Sequence, residues 1–191
     1  MAMPMTPTRF LSLVPRLCGA LALLAAVGGV DARADGGFQR AYVPGSRDGA
    51  GRFMGGTELR VLTAYQGKLY AGIGYWEDRP GAEGPQGAEI LVLDGPGARW
   101  RVDQIFDGRM PNGRPREFTV SALAGVRFET DGAGARLAQP VSMLLASAWD
   151  LTGAVRVHSR DDATGAWSAV TLSQDPPAPD FLPQLRSFGV D

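Results

Sequence analysis

Residues 88–106 read AEILVLDGPGARWRVDQIF. Ala88 to Asp94 is a short apolar run bounded by Asp94-Gly95-Pro96-Gly97. A second run of alternating character, 100–106 (WRVDQIF), follows that turn. Two short runs separated by Gly and Pro read as antiparallel strands joined by a tight connection. Upstream, 59–65 (LRVLTAY) and 69–76 (LYAGIGYW) flank Gln66-Gly67-Lys68, giving two more strands and a turn. The stretch 58–108 therefore reads as four antiparallel strands.

The same order returns downstream of 109–116 (RMPNGRPR), a linker with two Pro and one Gly. Strands are expected at 118–123, 126–130, 141–148, 154–159 and 167–172, with turns at 131–134 and 161–165. Outside the N-terminus no segment keeps a 3.6-residue apolar period for three turns, so very little helix is expected.

Two correspondences connect the halves. Leu69-Tyr70-Ala71-Gly72 matches Leu144-Leu145-Ala146-Ser147, and Asp94 precedes Trp100 by the same six positions as Asp161 precedes Trp167. The third strands, EILVLD and AVRVHS, fall between them. Residues 124–140 read as an insertion that lengthens the second unit. Twisted four-stranded sheets that stack face to face around an axis make a propeller. The expectation is an all-β chain of two four-stranded antiparallel, propeller-like blades, an incomplete β-propeller. A small β-sandwich is the alternative. The small residues at 71, 72, 74 and 146–148 suit inner strands, and Trp100 and Trp167 are expected to pack between blades.

LYAGIGYW…AEILVLDGPGARW and MLLASAWDLTGAVRVHSRDDATGAW resemble blades of secreted bacterial propellers with sialidase-like or kelch-like repeats. The resemblance covers residues 59–172. The Asp-turn-Trp elements are similar to the Asp-box hairpin of sialidase-like blades, S-x-D-x-G-x-T-W. Asp94 and Asp161 lie six residues before their Trp rather than five; Asp162 has the family spacing, with Gly165 one place late. The resemblance implies that Asp94, Trp100, Asp161 and Trp167 are structural turn residues. Two blades fall short of the four to eight of known propellers. Either a longer propeller or assembly of copies into a homo-oligomer would complete the ring, and residues 184–191 could open a third blade.

The N-terminus has the layout of a cleavable leader. Arg9 and Arg16 precede an uncharged stretch, LCGALALLAAVGGV, and Ala32-Arg33-Ala34 offers an A-x-A cleavage site. The expected organisation is a signal peptide at 1–34, an extended N-terminal segment at 35–57, the first unit at 58–108, the second at 109–173 and a Pro-rich exit at 174–191. The uncharged run is shorter than the roughly 20 residues a spanning helix needs. The expected location is the periplasm or the exterior, with no membrane association after cleavage.

Cleavage removes Arg9, Arg16, Arg33 and Asp31 from totals of 19 basic and 20 acidic residues, leaving 16 and 19. A mildly acidic chain does not suit a nucleic-acid partner. The single cysteine, Cys18, leaves with the leader, so the mature chain has neither a disulfide nor a thiol nucleophile.

Candidate chemistry is sparse. His158 is the sole histidine, which excludes two-histidine metal sites, and it is expected half-buried or on the surface of its strand. No phosphate loop, dinucleotide fingerprint or CxxC pair is present, and no cofactor or metal is expected. Trp76-Glu77-Asp78 and Trp149-Asp150 occupy equivalent places after strands rich in small residues. An aromatic beside an acid suits a sugar, whose ring stacks on the aromatic face while hydroxyls donate to the carboxylate. These five residues are the candidate ligand-binding set. The ligand class is left open among a small molecule, a glycan and a protein. A glycan-directed, sialidase-like hydrolase using Asp78 or Asp150 is the alternative. It would need facing carboxyls about 5–5.5 Å apart for retention or about 6.5–9.5 Å for inversion. The composition leans toward a binding or scaffold module rather than an enzyme.

Overall fold

The computed structural model describes residues 40–75, 87–174 and 183–189. The leader read at 1–34 lies outside the described residues, as do Trp76, Glu77 and Asp78. The all-β reading holds: the described residues form strands and turns with no helix. In chain order they are β1 (Ser46–Arg47), β2 (Phe53–Met54), β3 (Glu58–Tyr65), β4 (Lys68–Gly74), β5 (Glu89–Leu93), β6 (Arg101–Ile105), β7 (Glu117–Thr130), β8 (Arg136–Asp150), β9 (Ala154–Arg160) and β10 (Trp167–Gln174).

Consecutive strands pair antiparallel from β3 to β6 and again from β7 to β10. The two runs join where Gly74 of β4 pairs with Thr119 of β7. The result is one curled, half-barrel sheet in the order β10-β9-β8-β7-β4-β5-β6, with β3 alongside β4. The β3–β4 connection is a two-residue turn. Gln66 (φ 47) and Gly67 (φ 73) are both left-handed, as the turn type that matches strand twist demands.

Two apolar cores hold the sheet. The first lies between the runs and combines Tyr70, Ile90, Val92 and Phe106 with Val120, Leu123, Leu144 and Ala146. The second lies on the opposite face of β4–β6 and combines Ala71, Ile73, Leu91, Trp100 and Val102 with Met54 from β2. Alternation explains the split: Tyr70 and Ala71 are neighbours in β4 and point to opposite faces. Four of the five β5 residues (EILVL) are buried, as expected of a strand covered on both sides. The backbone approaches closely at Gly72, where an added Cβ would meet Val120 Cγ1 and Val61 Cγ2, each at 2.6 Å.

Three expectations need correction. Trp100 does not pack between the two runs; it belongs to the second core, beneath the N-terminal segment, while Trp167 packs against the first core. The break expected at Ala124-Gly125 is absent, and β7 runs unbroken from Glu117 to Thr130. Gly125 serves close packing there, because its Cβ would stand 2.6 Å from Tyr65 Cδ2. The stretch 45–56 (GSRDGAGRFMGG), within the segment at 35–57 expected to be extended or a loop, contains the small β1–β2 hairpin. Its Asp48 accepts hydrogen bonds from the backbone N–H groups of Ala50 and Arg52 and from Val102 of β6. The insertion read at 124–140 forms the outer part of the β7–β8 hairpin. Pro140 falls where that register slips, so its missing N–H costs no regular ladder bond.

Candidate functional site

The start of β7 is a meeting point of buried charges. Glu117 is paired across the ladder with Asp150, the last residue of β8. Both are almost fully buried, at 2% and 0% exposure. Strand period two puts Arg156, His158 and Arg160 of β9 on one face. That face turns inward, because His158 is buried against Phe106 with ring centroids 4.3 Å apart. His158 therefore does not sit half-buried or on the surface. Burying three basic side chains in a row is tolerable only if acids meet them, and acids do.

Glu117 Oε1 lies 2.6 Å from His158 Nε2, and Glu117 Oε2 accepts from Arg116 Nη2 at 3.1 Å. Burial pushes the Glu117 carboxyl up, but the hydrogen bond from His158 and the charge of Arg116 outweigh it and hold the carboxyl below its ordinary value. Ionised, it can only accept, so His158 Nε2 carries the hydrogen. Asp150 pairs with Arg156 Nη1 and with Arg116 Nε, the latter at 3.5 Å, and also accepts the backbone N–H of Thr152 at 2.7 Å. Burial and the nearby Arg116 charge lower the Arg156 pKa. Asp150 is what allows these two cations to share one site.

A further acid, its side chain 3% exposed, joins the two runs. Asp103 of β6 accepts Arg160 Nε at 2.9 Å and Arg160 Nη2 at 3.2 Å, a bidentate grip, together with Trp167 Nε1 at 2.8 Å. Tyr65 donates to Asp162 at 2.6 Å beside it.

The structure separates the sequence-predicted residues by role. Trp149 is half-buried and meets Phe118 edge-on, at 5.9 Å and 83°. Asp150, its neighbour, points the other way into the charged cluster. Asp161 organises its turn, accepting the backbone N–H groups of Ala163 and Thr164 at 2.9 Å each. Those bonds hold its carboxyl below the usual range. Asp94 does different work: Lys68 Nζ at 2.6 Å and Arg101 Nε at 2.8 Å grip it, holding its carboxyl far below the usual range.

Sequence reasoning missed Asp103, Arg116, Glu117, Arg156 and Arg160. One signal was available: a basic residue at every second position from Arg156 to Arg160, on a strand whose neighbours are apolar. Nothing local pointed to the acids that answer it, which come from β6, β7 and β8.

The ends of β4 and β8 converge on the start of β7. Gly74 pairs with Thr119, Asp150 pairs with Glu117, and Leu151 N–H donates to Arg116 O at 2.9 Å. Tyr75 and the turn after Trp149 thus lie at the same end of the sheet. Among the described residues, no group of three or more His, Cys, Asp or Glu side chains could hold a metal ion. No family model, curated protein or solved structure matches this chain.

Proposed function

We propose that this protein is an exported, propeller-like binding or scaffold module built from two four-stranded blades. Its ligand end is where β4 and β8 finish, with Trp76 and Trp149 as the aromatic contacts and Glu77 and Asp78 as accompanying acids. The blade reading is supported by the pairing order: the matched segments fall on the second and third strands of each run and on the turn that leads into the fourth. The exported reading rests on the leader at 1–34, and a periplasmic or external location follows from it.

The observation that carries the binding reading is the pairing of Glu117 and Asp150 with neighbouring cations. A glycosidase acid is tuned upward in pKa so that it can give a proton, whereas Glu117 is tuned downward by its partners. Asp150 is fully buried between two arginines. Asp150 thus binds the fold together, leaving Trp149 on the opposite strand face as the group that can meet a ligand. The chemistry of Trp76 to Asp78 favours a glycan over an apolar small molecule.

The test is capture on an immobilised oligosaccharide panel, comparing the full chain with a Trp76→Ala/Trp149→Ala variant whose β signal is intact by circular dichroism. Capture that drops at least tenfold in the variant is the expected result. Undiminished capture, or no capture by the unsubstituted chain, sinks the assignment of this end to glycans.

A further inference from the structure

Strand β10 ends the sheet path, and among the described residues its only pairing partner is β9. Its sequence, WSAVTLSQ, carries no charge and no proline, and five consecutive residues, 168–172, are exposed. Val170 at 65% and Leu172 at 60% are more exposed than any other large apolar side chain described. Soluble proteins ordinarily protect a free edge with charges, proline, bulges or a covering segment. The other edges here follow that rule. β3 carries Glu58 and Arg60 on its outer strand. β6 carries Arg101 and Asp103, and Asp48 takes its Val102 N–H at 3.1 Å. β10 has only a register shift between Thr171 and Ser173, which leaves Trp167–Thr171 regular.

An uncharged strand is compatible with its own copy. Laid antiparallel against itself, β10 sets no like charges opposite one another in any register. A formal net charge of −1 gives two whole chains little repulsion to overcome. We propose that β10 pairs with β10 of a second copy of this chain about a two-fold axis, with Val170 opposite the partner's Val170. Pairing continues the curled sheet across the axis, satisfies the free ladder groups and covers the exposed apolar side chains. A two-fold, self-complementary contact is also the commonest route to a closed oligomer. The inference concerns the sheet edge and stands whether or not the ligand end binds a glycan.

Light scattering of the full chain on size exclusion tests it. A dimer is expected at high concentration, dissociating on dilution. Val170→Lys, which puts two like charges opposite each other at the axis, is expected to leave only monomer. Val43→Lys, at another exposed apolar position (42%), is expected to leave the dimer unchanged. Directly opposed residues have Cα atoms about 4.5–5.5 Å apart, within disulfide range. A Cys18→Ser/Val170→Cys full chain is therefore expected to cross-link as a dimer on oxidation. Three results would overturn the proposal: a monomer at every concentration, an oligomer that Val170→Lys does not weaken, or a Val170→Lys-sensitive dimer that the cysteine variant fails to cross-link.

Discussion

Asp150→Ala is expected to destabilise the fold by about 3–5 kcal/mol, the usual cost of removing one partner from a buried ion pair. The side chain is fully buried, and its loss would leave Arg156 without its carboxylate and Arg116 with Glu117 alone. Three effects add: the mostly buried Arg156 loses its partner, the Arg116 and Arg156 charges are no longer separated by Asp150, and Thr152 N–H loses its acceptor. Asp150→Asn keeps the shape and an acceptor, so it should cost less. Urea unfolding measures both, from the shift in midpoint at constant slope. As a contrast, Glu58→Ala removes an exposed partner of Arg60 and should cost well under about 1 kcal/mol.

Asp103→Ala is the second large effect, expected at about 3 kcal/mol. This residue is a polar link between the two strand runs, alongside the Tyr65–Asp162 hydrogen bond. Its loss removes both Arg160 bonds and strands Trp167 Nε1 at the edge of the first core. Arg160 keeps a contact with Asp162 at 3.4 Å, which limits the damage. Chain separation matters: Asp103 and Arg160 are 57 residues apart, so the bond can form only once the two runs have met. Urea midpoints for Asp103→Ala, Arg160→Met and the double variant should be non-additive, because one bidentate contact is lost in all three. Additive losses would mean that the two side chains stabilise the fold separately.

Much of this architecture was legible locally. Turn chemistry at Gln66-Gly67, Asp94-Gly95-Pro96-Gly97 and Asp161 to Gly165, with apolar alternation between, is enough to place β3–β6 and β9–β10. The long β7–β8 hairpin was harder. Gly125 carries the same local signal whether it makes a turn or makes room for Tyr65, and only the tertiary partner decides. The β1–β2 hairpin shows a different limit. Asp48-Gly49-Ala50-Gly51 and Asp131-Gly132-Ala133-Gly134 are the same tetrapeptide, and both form the same turn, with an Asp Oδ1 accepting two backbone N–H groups. The second was readable because apolar strands flank it. The first has strands of only two residues, too short for periodicity to register.

The charged cluster was less legible still. His158, taken alone, is an unremarkable residue of an alternating strand. Its meaning comes from Glu117, 41 residues away, and from the packing of Phe106 over its ring. Trp149 and Asp150 were found together because they are adjacent, yet adjacency in a strand sends their side chains to opposite faces. One became a half-buried aromatic packed on Phe118 and the other a buried counter-ion. A sequence motif that treats neighbours as partners cannot see that division.

On the proposed reading, the buried acids serve the fold and not a reaction. A chromogenic glycoside panel, assayed with the full chain and with a Glu117→Gln variant of matched β signal, tests this most directly. The predicted result is no hydrolysis by either protein. Hydrolysis by the unsubstituted chain that vanishes in Glu117→Gln would contradict it and make the Glu117–His158 pair a catalytic one.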